Sequence, residues 1–133
     1  MTRQRLLPSV TLCLLLTACP AVTRTPFQRM ASEAAGVLAA AAETMLALDE
    51  QRLTEAYAQG SFVLYREALS GLPSELPLQD GAPESSAAQA LASRVADAQR
   101  LVEEPCLARG CDLIGEARML RDVSDRLLEA AGR

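Results

Sequence analysis

Apolar residues recur every three or four positions through most of this chain, and no run shows the strict apolar–polar alternation of a half-buried strand. This spacing is typical of helices that each bury one face. It is clearest near the carboxyl end, where the predicted inward residues are Leu113, Ala117, Leu120, Val123, Leu127 and Ala130. The pattern predicts an all-α fold, a compact antiparallel bundle of three to four helices with an alanine-rich core.

Capping residues and prolines mark the predicted helix ends. Thr25, Pro26 and Gln28 have the spacing of a capping box with proline at the first helical position, so a helix is expected to begin at Pro26. Another helix is expected to stop at Pro105 and Asp112 to cap the last one. The inward residues of the helix before Pro105 are predicted to be Ala88, Leu91, Val95, Ala98 and Val102.

Two arrangements are open for residues 26–71. The chain bends near Asp49, or one long helix runs to Ala58 and breaks at Gly60-Ser61. The favoured arrangement is a long first helix followed by a shorter one that ends near Gly71. The predicted inward residues of the second segment are Leu53, Tyr57, Val63 or Leu64, and Ala68. Residues 72–83 contain three prolines and are predicted to form a loop.

A separate pattern occupies the first 19 residues. Arg3 and Arg5 precede the apolar residues 6–18, a stretch shorter than the roughly 20 residues of a membrane-spanning helix, and Leu16-Thr17-Ala18-Cys19 follows at its end. This arrangement resembles the signal peptide and lipobox of bacterial lipoproteins. The resemblance implies that residues 1–18 are removed, that Cys19 carries fatty acyl chains such as palmitate, and that residues 19–25 tether a domain at 26–133. The alternative is an ordinary secretory signal that is cleaved after Ala21.

The same resemblance implies a place in the cell envelope, with the protein membrane-anchored on the periplasmic face. In lipoproteins of two-membrane bacteria, Asp directly after the lipidated cysteine usually retains the protein in the inner membrane. Pro20 stands there in this chain, so the outer membrane is favoured if the organism has one. No later segment is expected to cross a membrane.

The cysteine arithmetic follows from that processing. Cys13 would leave with the signal peptide and Cys19 would take the lipid, which leaves Cys106 and Cys111. Two remaining cysteines in an oxidising compartment predict a disulfide between the last two helices.

The charge of the mature chain argues against a nucleic-acid partner. With Arg3 and Arg5 removed, 11 of the 13 basic residues would face 17 acids, a net charge of −6. The arginines are scattered along the chain. A protein that binds nucleic acid or an anionic membrane surface requires a basic patch instead. The lipid on Cys19 is therefore the one predicted membrane attachment.

The absence of certain residue types limits the possible chemistry. The chain contains neither histidine nor lysine, so triads, Schiff bases and phosphate loops that depend on them are excluded. Cys106 and Cys111 supply two of the four ligands that zinc usually takes. We predict no enzyme activity, no catalytic or metal-binding residues and no cofactor.

Tyr57, Phe62 and Tyr65 form an aromatic group near Gly60. They could line a ligand pocket or a partner surface, or they could equally plug the core. The function predicted first is that of a tethered scaffold or adaptor that contacts an unidentified envelope protein. The alternatives are a binder of a small apolar or lipid ligand in the bundle core, and an envelope inhibitor or immunity-type protein.

Overall fold

The computed structural model describes residues 24–72 and 86–132. These residues form four helices and no strand: α1 (Pro26–Asp49), α2 (Glu55–Ser70), α3 (Ser86–Glu103) and α4 (Leu113–Ala130). The predicted all-α bundle is confirmed. The predicted signal peptide, Cys19 and most of the predicted loop at 72–83 lie outside the described residues.

The predicted capping box starts α1. Gln28 N donates to Thr25 Oγ1 at 3.1 Å, and Thr25 N donates to Gln28 Oε1 at 3.0 Å. Both bonds satisfy backbone N–H groups that the first helical turn leaves without intrahelical partners. The start of the domain is therefore fixed by a short stretch of sequence.

Helix α1 forms the centre of the bundle, and α4 is its main partner. Ser124 Oγ donates to Ala35 O at 2.8 Å, and Arg121 pairs with Glu43 further along, so the two helices run antiparallel. The buried face of α1 is mostly composed of small residues, which allow a neighbouring helix to approach closely. Its fully buried members include Ala31, Ala34, Ala35, Leu38, Ala41, Ala42 and Met45.

By length and composition alone, α1 could cross a membrane, contrary to the expectation that no segment after the signal could do so. Half of its most apolar window is buried within the bundle, as in the core helix of a soluble domain. An apolar helix near the N-terminus is also compatible with a signal sequence or anchor, and hence with an envelope protein. In this structure α1 serves as the core helix.

The connection between α1 and α2 confirms the bend near Asp49, and the alternative of one long helix that runs to Ala58 and breaks at Gly60-Ser61 is wrong. Helix α1 ends at Asp49, and Gln51 adopts a left-handed conformation with φ of 58°. Thr54 then caps α2 by accepting a hydrogen bond from Tyr57 N at 3.2 Å. Gly60 lies inside α2 and breaks nothing, whereas the expected end near Gly71 is correct.

The buried face of α2 was also predicted wrongly. Ala58, Phe62 and Leu69 are the buried residues of this helix. Tyr57 and Leu64, which were expected to point inward, are 63% and 64% exposed. The helix therefore has an apolar inner face and a second apolar surface that faces solvent.

The last two helices follow the sequence closely. All five predicted inward residues of α3 are buried. Asp112 caps α4 by accepting a hydrogen bond from Gly115 N at 3.0 Å. Helix α4 deviates at two positions: Ser124 is buried although it was not predicted to face inward, and Ala130 is only partly buried while Ala131 takes the buried position.

Candidate contact surface

The structure separates the three aromatic residues that the sequence groups together. Phe62 is 1% exposed and lies in the core, while Tyr57 is on the surface. Tyr65 is half-buried at the edge between α1 and α2, and its ring meets that of Phe62 edge-on with centroids 5.4 Å apart. Phe62 therefore plugs the core, whereas Tyr57 is available on the surface for a partner.

A hydrogen-bonded chain fixes Tyr65 at that edge. Its hydroxyl lies 2.8 Å from Thr44 Oγ1, which lies 3.0 Å from Ala40 O. Because Thr44 gives its proton to the Ala40 carbonyl, the Tyr65 hydroxyl is the donor to Thr44. The contact also shows that α2 packs beside the second half of α1.

Tyr65 forms one wall of an open groove between α1 and α2. The groove has a volume of about 450 Å³ and is largely apolar. A β-carbon added to Gly36 would meet no atom within 4 Å, so the space above this residue is empty. The groove is lined by Glu33, Gly36, Val37, Ala40, Tyr65, Ala68 and Leu72.

The groove continues along α2 as an exposed apolar surface. Tyr57, Leu64 and Ala68 are spaced seven and four residues apart, which places them on one side of the helix. Together with Leu72 they form what we call the apolar strip. From Tyr57 to Leu72 the strip is about 22 Å long at 1.5 Å per residue.

Carboxylates border this surface. Glu33 lines the groove on the α1 side, and the exposed Glu67 on α2 is adjacent to Ala68 and three residues from Leu64. Neither carboxylate takes part in the ion pairs found among residues 24–72 and 86–132. Arg66 is directed to the other side of α2, where Nη1 donates to Glu103 O at 3.3 Å. The margin of the strip is therefore acidic.

Cys106 and Cys111 lie in the turn between α3 and α4 at disulfide distance, with their Cα atoms 5.7 Å apart. Gly110 has a φ of +93°, which lets the backbone turn back between the two cysteines. The local geometry agrees with the predicted bridge.

The cysteine turn also borders a more polar cavity of about 350 Å³ at the end of the bundle where α1 ends. Asp49, Gln51 and Glu55 approach it from the α1–α2 connection, and Arg109 approaches it from the cysteine turn. Sequence reasoning missed this site because nothing in the two separate loops indicates that they meet. Within the described part of the chain, no three His, Cys, Asp or Glu residues form a group that could hold a metal ion.

Glu116, in the first turn of α4, has an unusual environment. Burial raises the pKa of its carboxyl above the ordinary value of 4.5, and the nearby Asp112 carboxylate adds to the shift. Its Oε2 atom is buried and has no hydrogen-bond partner among the described residues. The fold therefore disfavours the charged form of this side chain.

The predicted lipidation site, Cys19, lies outside the described residues and remains a prediction. Comparisons of the chain with models of protein families, with curated proteins and with solved structures found no match. The case for a function therefore depends on this chain's own residues.

Proposed function

We propose that this protein is a lipid-anchored contact protein of the bacterial cell envelope, held by acyl chains on Cys19 and bound to another envelope protein through the apolar strip. The observation that carries the proposal is the exposure of Tyr57 and Leu64 in line with the α1–α2 groove. Single exposed apolar residues are common on protein surfaces, but several aligned on one side of a helix beside an apolar groove indicate an interaction site. Burying a leucine-sized side chain contributes about 1.5–3 kcal/mol to binding.

The packing of the bundle favours contact over ligand binding in the core. Phe62, Leu38, Met45, Leu120 and Leu127 are each less than 2% exposed and occupy the centre of the bundle. The groove beside them is open to solvent along α1 and α2, so it suits a partner surface better than an enclosed small molecule. The protein-contact function therefore has more support than the core-ligand alternative.

The proposed anchor is compatible with an accessible strip. Residues 19–25 would span about 20 Å at roughly 3.3 Å per residue, so the domain would stay near the membrane. Helix α1 begins at this tether end, and the groove lies along its middle turns beside the end of α2. The strip runs from there along the side of the bundle, where a periplasmic or membrane protein could reach it.

Two measurements test the proposal. Mass spectrometry of the mature protein should show acylation at Cys19 and loss of residues 1–18, and Cys19→Ala should leave an uncleaved precursor. A photo-crosslinking residue at position 64 should capture a protein in intact cells. The same residue at position 59, on the opposite side of α2, should not. An unmodified mature N-terminus, or equal capture from both positions, would refute the proposal.

A further inference from the structure

The groove and the apolar strip together suit one class of occupant. We infer that the partner inserts an amphipathic α-helix whose apolar stripe is flanked by arginine or lysine. This inference rests on the proposed contact function and specifies the part of the partner that is recognised.

The shape of the surface favours a rod over a compact ligand. The strip is about 22 Å long, the length of some 15 residues of α-helix. The small residues Gly36, Ala40 and Ala68 form a shallow channel between two antiparallel helices, where the side chains of a third helix can settle. This arrangement corresponds to helix-in-groove recognition, in which residues spaced three, four and seven apart enter the groove.

The backbone of the groove disfavours an extended peptide. The α1 wall lies in the middle of a helix, so its N–H and C=O groups are paired within α1, and the α2 wall is the last turn of a helix, which offers carbonyls but no free N–H groups. An extended segment would find no row of alternating main-chain donors and acceptors and would leave most of its own groups unpaired in an apolar channel. A helix pairs its own backbone groups and brings only side chains to the groove.

The negative charge at the margin of the strip favours an occupant with basic flanking residues over other apolar occupants. Glu33 and Glu67 present two carboxylates beside the strip, and the exposed Arg29, one turn before Glu33 on the same side of α1, offsets one of them, so the net charge of the margin is negative. A second copy of this chain would bring the same acidic margins, and anionic lipid headgroups would also be repelled. A helix with basic flanks is complementary both to the margin and to the apolar strip.

A pair of synthetic peptides tests the inference directly. Both are 18-residue helices with the same leucine stripe, one flanked by lysine and the other by glutamate. Binding is measured to the full mature protein in phosphatidylcholine nanodiscs, with empty nanodiscs as the baseline. We expect the lysine peptide to bind roughly tenfold more tightly at low salt and the difference to shrink as salt rises.

Charge reversal tests the role of the margin. The double variant Glu33→Lys, Glu67→Lys should reverse the preference and bind the glutamate peptide more tightly. Both positions are on the surface of helices, so circular dichroism should show an unchanged helical content. An unchanged preference in the folded double variant would overturn the inference.

A groove-filling variant tests the location. Gly36 faces open space, so Gly36→Leu should fold normally and place a leucine side chain in the channel. It should weaken binding of the lysine peptide by about tenfold. Gln59→Leu adds the same side chain on the opposite side of α2 and should leave binding unchanged. Equal binding by the native chain and Gly36→Leu would overturn the inference.

The segment captured from position 64 in cells gives the decisive result. An apolar helix with lysine or arginine flanks supports the inference. A second copy of this chain, a phospholipid, or an extended or acid-flanked segment overturns it. Capture of any other protein segment overturns the inference but leaves the contact function standing. The absence of capture specific to position 64 removes the contact function itself.

Discussion

The carboxylate of Asp112 occupies the space that a β-carbon on residue 115 would take, and it accepts a hydrogen bond from Gly115 N at 3.0 Å. The glycine therefore has a packing role at the start of α4, because any side chain there would displace the cap. The pair joins the cysteine turn to the helix that packs along α1.

This relationship predicts that substitutions at the two positions are not additive. Asp112→Ala should cost about 1 kcal/mol of stability through loss of the cap. Gly115→Ala should be near neutral in the native chain, because a gain in helix propensity of up to about 1 kcal/mol is offset by disruption of the cap. In the Asp112→Ala background, only the gain remains, so the same substitution should be stabilising. Urea unfolding of the four chains measures the coupling, and strictly additive effects would contradict it.

Glu116 should make the stability of the domain depend on pH. Its pKa is raised in the folded state, so the folded chain keeps this proton to a higher pH than the unfolded chain does. The free energy of unfolding should therefore fall as pH rises from the unfolded pKa, near 4.5, through the raised folded pKa. Below that pH window the carboxyl is protonated in both the folded and the unfolded state, so it does not lower the free energy of unfolding.

The variant Glu116→Gln should remove this dependence. It should be more stable than the native chain at neutral pH, with the difference disappearing below pH about 4 as the native carboxyl becomes protonated. Glu103→Gln, at an exposed carboxylate, provides the control and should show no such gain. Thermal unfolding of the three chains across that pH range gives the answer, and parallel curves for native and Glu116→Gln would contradict it.

Ser124 should contribute measurably to the contact between α1 and α4. Its buried hydroxyl donates to Ala35 O at 2.8 Å, so Ser124→Ala removes a desolvated hydrogen bond worth about 1 kcal/mol. The exposed Ser70 hydroxyl donates to Glu67 O at 2.7 Å and gives a matched control, for which Ser70→Ala should change stability by less than about 0.5 kcal/mol. Equal losses in the two variants on chemical denaturation would show that burial is not the source of the effect.

The buried face was predicted correctly for α3 and wrongly for α2, and both outcomes have the same physical cause. The inward residues of α3 have heptad spacing, and its other residues are polar or alanine apart from Leu101, so all five inward residues were identified. Helix α2 carries apolar residues on two sides, so periodicity cannot decide between Phe62 and Leu64 as the core residue. A helix that is ambiguous in this way has apolar surface to spare, and here that surface is the candidate site.

The end of α1 could not be predicted uniquely, for a different reason. The turn depends on the left-handed conformation of Gln51, a conformation that glycine or asparagine usually marks in a sequence. Gly60 suggested a break in the helix, but it lies inside α2. The available signal was Thr54 followed by Glu55, a cap with an acid in the first turn. The groove itself could not be foreseen, because it depends on which turns of α1 and α2 meet.

The bridge between Cys106 and Cys111 should stabilise the domain without being needed to form it. The Cα atoms are 5.7 Å apart, and the closed loop is short, so the chain-entropy model gives about 2 kcal/mol. The double variant Cys106→Ser, Cys111→Ser should keep its helical circular dichroism and melt at a lower temperature, since α1 and α4 hold their contacts without the bridge. A reducing agent should lower the melting temperature of the native chain to that of the variant and leave the variant unchanged. Two free thiols in protein taken directly from cells would show that the bridge does not form.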